Sequence, residues 1–249
     1  MVRFPIEIRE RICAAAAIAF FLLSGMAFIG SLGIEADEAL PAGPLYQPKS
    51  WYYAWHLGHA RIPLMHMSYL GTLKTWIWRP IFQYWGTGVW PLRLPAVLAG
   101  AASIWLFYRF LRATVGARAA VIGCAILAAD SQYLLTTVFD WGPVAFQHLL
   151  IGAGLLLLVK FHRSANSLWL AAGFFFFGLA VWDKMLAVWM LSGLTIGALA
   201  TVPRQILAAW SWRRLAIAAL AFLAGAVPVA LSGIHDHRSE ERRVGKECS

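Results

Sequence analysis

Acidic residues are scarce in this chain: Asp and Glu number 12 against 21 Lys and Arg, and charged residues make up only 13% of its 249 positions. With 60% hydrophobic residues and 13 Trp, so little charge excludes an ordinary soluble domain and leaves a polytopic membrane protein. Cysteine is nearly absent as well. Cys13 and Cys124 lie inside apolar runs and Cys248 in the tail, with no CxxC or metal-ligand spacing among them, which argues against a disulfide framework and against a zinc site. Residues 1–32 have a charged start and an apolar stretch but lack a clear small-residue cleavage site, so they read as a retained signal anchor. A formal charge of +9 does not point to nucleic acid, because the basic residues form short clusters between apolar runs rather than one continuous face.

What the chain has is long apolar runs. Those near 12–32, 92–110, 117–135, 143–161, 167–182, 184–202 and 215–233 suit seven helices crossing about 30 Å of hydrocarbon. The stretch 62–85 is different. On a helical wheel Ser68, Thr72, Thr75, Arg79 and Gln83 share one face and Leu70, Leu73, Ile77 and Ile81 the other, the pattern of a helix lying in the membrane interface. With 62–85 not spanning, Arg3/Arg9/Arg11, Arg109/Arg112/Arg118, Lys160/Arg163 and Arg204/Arg213/Arg214 all fall on one side, as the positive-inside rule requires. The same topology brings Asp37, Glu38, Asp130, Asp140, Asp183 and Lys184 to the outer side, where one cavity could receive them. The first outer loop also holds Lys49, Arg61, Lys74 and Arg79, thinly spread.

After residue 234 the composition turns abruptly from apolar to charged. Residues 235–249 resemble translated adaptor sequence, a non-native tail, and are set aside from fold reasoning. The expected organisation is therefore a truncated transmembrane domain over 1–234, from a protein that continues further.

Four stretches bear on chemistry: Glu35-Ala36-Asp37-Glu38 after the first helix, Leu92-Arg93-Leu94-Pro95 opening the second, Val138-Phe139-Asp140-Trp141-Gly142-Pro143-Val144-Ala145 between the third and fourth, and Gly178-Leu179-Ala180-Val181-Trp182-Asp183-Lys184-Met185 between the fifth and sixth. In order and spacing they resemble the membrane glycosyltransferases of the GT-C class, family 39, which includes protein O-mannosyltransferases and the aminoarabinose transferases that modify lipid A. The resemblance covers about residues 10–233, the N-terminal catalytic half of that fold. It implies an all-α polytopic protein with interfacial helices in the first extracytoplasmic loop, in a bacterial inner membrane with the active site facing outside. It also implies a polyprenyl-phosphate sugar donor, a lipid, protein or glycan acceptor, and an N-terminal part inactive by itself.

By the same resemblance Asp37 is the candidate general base, Glu38 its acidic neighbour, and Asp140 a second functional Asp. Lys184 matches a Lys that usually stands in Thr-Lys-Gly, here Asp183-Lys184-Met185, and Arg93 matches the Arg of an Arg-Leu-Pro helix start. A His-Pro-Pro or Glu-Lys-Pro element is missing near Arg61-Ile62-Pro63, which makes Lys74 and Arg61 substitutes for the donor-phosphate contact. The residue types suit the reaction independently: a carboxylate can take the acceptor's proton, and cations can stabilise the departing phosphate. Base and leaving group on opposite sides of the anomeric carbon give inversion. His56, His59 and His66 share the loop with the acidic pair, so a divalent metal stays open as a cofactor, since imidazole and carboxylate both ligate such ions. The alternative readings are a transporter or channel, against which no internal repeat is evident, and a non-catalytic assembly protein, for which clustered outer carboxylates have no purpose.

Overall fold

The computed structural model describes residues 6–47, 51–58, 60–141, 144–209 and 211–247; Lys49, His59, Gly142, Pro143 and Cys248 lie outside them. A long helix, α1 (Ile6–Phe28), leads into two single-turn helices, α2 (Ala36–Ala39) and α3 (Gly43–Tyr46). Three strands follow, β1 (Tyr53–Leu57), β2 (Ala60–Met67) and β3 (Leu70–Gly71), and then helices α4 (Leu73–Trp85) and α5 (Val89–Thr114). The rest is α6 (Ala117–Ala129), α7 (Ser131–Val138), α8 (Val144–Ser164), α9 (Ser167–Asp183), α10 (Ala187–Thr201), α11 (Pro203–Ala209) and α12 (Trp212–Glu247).

This is a helical, polytopic membrane protein. Among the described residues four helices, α1, α5, α8 and α12, are long and apolar enough to cross a bilayer. Counting each of two bent pairs as one span, α6 with α7, at 58°, and α10 with α11, at 101°, gives up to six. The seventh expected span is α9, whose 17 residues reach about 26 Å, short of the full hydrocarbon thickness.

Two buried clusters hold the bundle together. One, around Phe21, Val97, Ile104, Tyr108, Cys124 and Val138, joins α1, α5, α6 and α7. The other, around Trp78, Phe82, Phe146, Leu150, Ile151 and Phe177, joins α4, α5, α8 and α9. In lipid, apolar burial does not drive helices together, so close backbone approach at small residues has to. Helices α9 and α12 meet in this way: a Cβ on Gly178 would collide with the Phe222 carbonyl, and one on Gly225 with that of Phe175. Exposed Leu23, Ile126, Ile196 and Leu220 then have lipid as their solvent.

The expected helix over 62–85 forms only in its second half. Residues 60–71 instead supply β2 and β3 of an antiparallel sheet of order β1-β2-β3, and the helix begins at Leu73. The backbone of residues 60–71 is taken up in strand pairing with residues 53–57 and with itself, a partnership between segments that a helical wheel does not test. The buried face of α4 is also not the one the wheel gave: Lys74, Thr75, Trp78 and Phe82 point inward, while Arg79 and Gln83 are exposed. At 13 residues, or about 20 Å, α4 is too short to span.

Consistent with a non-spanning α4, basic clusters from separate loops gather at one end of the bundle. Arg11, Arg109 and Arg112 line one cavity there, Arg109, Arg112, Lys160 and Arg163 a second, and the Arg214 guanidinium lies over the Phe161 ring at 5.4 Å. Glu38, Asp140 and Asp183 collect at the other end, with exposed Asp37 next to Glu38 in the same loop. Asp130 caps α7, accepting from the Tyr133 N–H at 2.6 Å, and takes no part in that cluster.

Candidate functional site

The site is assembled on the small sheet and the start of α4. The Pro63 carbonyl accepts from Thr72 Oγ1 at 2.7 Å and from Trp76 Nε1 at 3.2 Å, which pins the first turn of α4 across β2. The segment leaving α9 then closes on the sheet: Trp182 Nε1 donates to the Leu64 carbonyl at 2.9 Å, Met185 N–H to the Tyr69 carbonyl at 2.9 Å, and Leu70 bridges Lys184. The approach leaves no room for a side chain at position 71, where a Cβ would run into the Trp182 carbonyl. Gln147, from α8, donates to the Lys184 carbonyl at 3.0 Å. Residues more than a hundred positions apart are thus locked into one corner.

At its centre lies Lys74, 3% exposed. Its ammonium forms an ion pair with Asp140, lies 5.2 Å from the centre of the Trp78 ring, and interacts with Asp183. Burial pulls the Lys74 ammonium down to about 7, against the opposing pull of Asp183 and Glu38. Asp183 is fully buried and neither of its carboxylate oxygens receives a hydrogen bond among the described residues; Lys74 and Lys184 are the cations that act on it through space. Asp140 holds φ at 47°, the left-handed region that Asp tolerates better than most residues, and this turn presents its carboxylate to Lys74. Beside them His66 Nε2 and Thr75 Oγ1 share a hydrogen bond of 2.8 Å. Burial, with the Lys74 charge nearby, lowers the His66 imidazole to about 4, so it is neutral at physiological pH.

A second ion pair stands next to the first. Arg93 Nε and Nη2 donate to the two oxygens of Glu38, each at 2.8 Å, and the remaining donors reach the carbonyls of Ile29 at 2.7 Å, Leu32 at 3.1 Å and Gly33 at 2.8 Å. Both side chains are fully buried, and the Arg93 guanidinium lies over the Phe139 ring at 4.8 Å. With a fork of five N–H donors directed to Glu38 and three carbonyls, Arg93 is occupied as a latch that ties the end of α1 and the α2 loop to α5. Glu38 and Arg93, expected from the sequence to face acceptor and donor phosphate, are thus bound to each other in this structure.

The other expected residues divide by access. Asp37, one position before the latch, is exposed, and its loop touches that of Asp140 through a hydrogen bond of 3.2 Å from Trp141 Nε1 to Glu35 Oε2. Lys184 is half-buried at the junction of α9 and α10. Arg61 is exposed and pairs in register with His56 at the hairpin end of the sheet, five residues from His66, or about 16 Å along an extended strand; it does not join Lys74. The sequence placed Asp183 among the outer charges without a role of its own, and Thr75 only on the polar face of a helical wheel. The available signal for Asp183 was a carboxylate ending an uninterrupted apolar helix.

Among the described residues no three His, Cys, Asp or Glu side chains gather as ligands; His56 is exposed on β1, and His66 is committed to Thr75.

Residues 72–231, more than half of the chain, match the family described as dolichyl-phosphate-mannose-protein mannosyltransferase. No curated protein and no solved structure matches the chain. The matched span takes in Lys74, Arg93, Asp140, Asp183 and Lys184 and leaves out Asp37, Glu38 and Arg61. The chain belongs to this family, and with it to the glycosyltransferases that draw on a lipid-linked sugar donor.

Proposed function

We propose that this member of the dolichyl-phosphate-mannose-protein mannosyltransferase family moves a sugar from a polyprenyl-phosphate carrier to an acceptor hydroxyl outside the membrane, with inversion. The observation that carries the reading is the convergence of four separate segments, around Asp37, Lys74, Asp140 and Asp183-Lys184, at the end of the bundle opposite its basic clusters. The acceptor hydroxyl attacks the anomeric carbon and yields its proton to Asp37, the accessible carboxylate. The bond from that carbon to the phosphate oxygen breaks, and the lipid phosphate departs with the electron pair. Lys184, half-buried at the rim, is the cation that meets the developing phosphate charge. Lys74, held between Asp140 and Asp183 below it, is a positioning residue that fixes the floor and keeps two carboxylates from repelling each other. No step is routed through a metal. A bacterial inner membrane, GT-C family 39 and a lipid, protein or glycan acceptor belong to the same proposal.

The test separates donor from acceptor. In the intact enzyme, Lys184→Gln should raise KM for the lipid donor about 10–100-fold, the loss expected for one charge-assisted contact, with KM for the acceptor little changed. A variant that alters acceptor KM alone would take Lys184 away from the phosphate.

A pH profile addresses Lys74. Because burial draws its ammonium down to about 7, the protonated form predominates below that pH and is lost above it. Transfer should accordingly decline as pH rises through about 7, and Lys74→Arg, which stays charged because Arg does not deprotonate in proteins, should move that limb upward. A limb that stays in place in the arginine variant would assign the titration to another group.

A further inference from the structure

The basic end of the bundle holds a feature that sugar transfer does not use. Arg109, Arg112, Lys160 and Arg163 rim a cleft of about 660 Å³ between α5, α8 and α9, whose walls are apolar side chains such as Leu106, Leu156 and Phe176. A smaller cavity of about 260 Å³ adjoins it, shares Trp105, Arg109 and Arg112, and adds Arg11. No Asp or Glu lines either cavity among the described residues. Three of these cations are braced by their neighbours: the Arg109 guanidinium lies over Trp105 at 5.9 Å, the Lys160 ammonium over Trp169 at 4.5 Å, and Arg163 Nη2 donates to the Ala113 carbonyl at 3.0 Å. Along α5, Arg112 is 19 residues from Arg93, or about 28 Å, so the cleft and the carboxylate cluster sit at opposite surfaces of one bilayer.

We infer that this cleft is a binding site for an anionic glycerophospholipid of the leaflet opposite the transfer site. Charge complementarity selects the occupant. The cationic rim matches a phosphodiester, which arginines grip through paired N–H donors, and the apolar walls below match the start of acyl chains; basic pockets between transmembrane helices bind anionic headgroups on this physical ground. A neutral zwitterion would leave the rim uncompensated. A free phosphate would leave the walls empty. By contrast, exposed Arg204 and Arg213 line neither cavity, and serve as the control for basic residues that only orient the chain in the membrane.

The test uses the chain purified in a nonionic detergent, with lipid retention read by native mass spectrometry and stability by thermal unfolding. Phosphatidylglycerol should be retained at one molecule per chain and raise the Tm, and phosphatidylcholine should do neither. Arg109→Gln with Lys160→Gln should weaken phosphatidylglycerol binding about fivefold per charge removed, while Arg204→Gln with Arg213→Gln leaves it unchanged. Equal retention of the two lipids, an equal Tm rise with inorganic phosphate alone, or an equal loss in the control pair would each overturn the site. Should the glutamine pair not fold, Arg109→Lys with Lys160→Arg preserves charge and allows a salt titration: retention that weakens with salt supports the site, and retention indifferent to salt overturns it.

Discussion

Asp37→Asn, made in the intact enzyme, is expected to lower the rate of sugar transfer about 10²–10⁴-fold, the usual cost of losing a general base, with expression and Tm unchanged. The amide keeps the size of the carboxylate and can still accept a hydrogen bond, but it cannot take the hydroxyl's proton at neutral pH. Stability should be spared because Asp37 is exposed, and exposed substitutions away from caps and buried networks rarely exceed about 0.5 kcal/mol. The neighbouring carboxylates behave differently under the same change. Asp140 and Asp183 are buried around Lys74, so their asparagine variants should lose rate and stability together. Near-normal transfer in a well-folded Asp37→Asn protein would return that loop to the reading of a solvated helix end.

Arg93→Met is expected to destabilise the protein by about 3–5 kcal/mol, the range for leaving one partner of a buried ion pair uncompensated. Here the cost has two sources. Glu38 keeps a charge in a fully buried position, and the carbonyls of Ile29, Leu32 and Gly33 lose their donor. Glu38→Gln should cost less, because Arg93 retains the three carbonyls and the amide oxygen still accepts. Arg93→Lys should recover only part of the loss, since an ammonium cannot reproduce the planar fork that reaches Glu38 and two turns of backbone together. Thermal unfolding of the three variants gives the order. If Arg93→Met were as stable as the parent and instead raised donor KM, the latch would be wrong and Arg93 would belong to the phosphate site.

How far the sequence could be read follows from what each signal depends on. The apolar runs depend only on composition along the chain, and each of the seven coincides with a helix, a bent pair or, for 167–182, a helix too short to be counted among the four long spans. The one-sided placement of the basic clusters was legible for the same reason, being a property of spacing. Local structure within 62–85 was not legible from periodicity, because a helical wheel tests an assumed period and takes no account of strand pairing with residues 53–57. The Glu38–Arg93 pair joins residues 55 positions apart, and such a partnership leaves no local mark. A resemblance of motifs singled out both residues, yet it carried no sign that they would be bound to each other. Asp183 was hidden differently: its nearest charge in sequence is Lys184, whereas its nearest in function is Lys74, brought against it by the closure of the 182–185 segment onto β2 and β3.

The measurement that bears most directly on the account is photocrosslinking with a polyprenyl-phosphate probe carrying a photoreactive group beside the phosphate, followed by peptide mapping of the labelled protein. Labels should fall on the 183–185 segment, the first turn of α4 and the Asp37 loop, and an unlabelled polyprenyl-phosphate sugar should compete them away. Labelling confined to the basic cleft formed by α5, α8 and α9, or labelling near Lys184 that the unlabelled donor does not reduce, would contradict the assignment of this corner as the donor site.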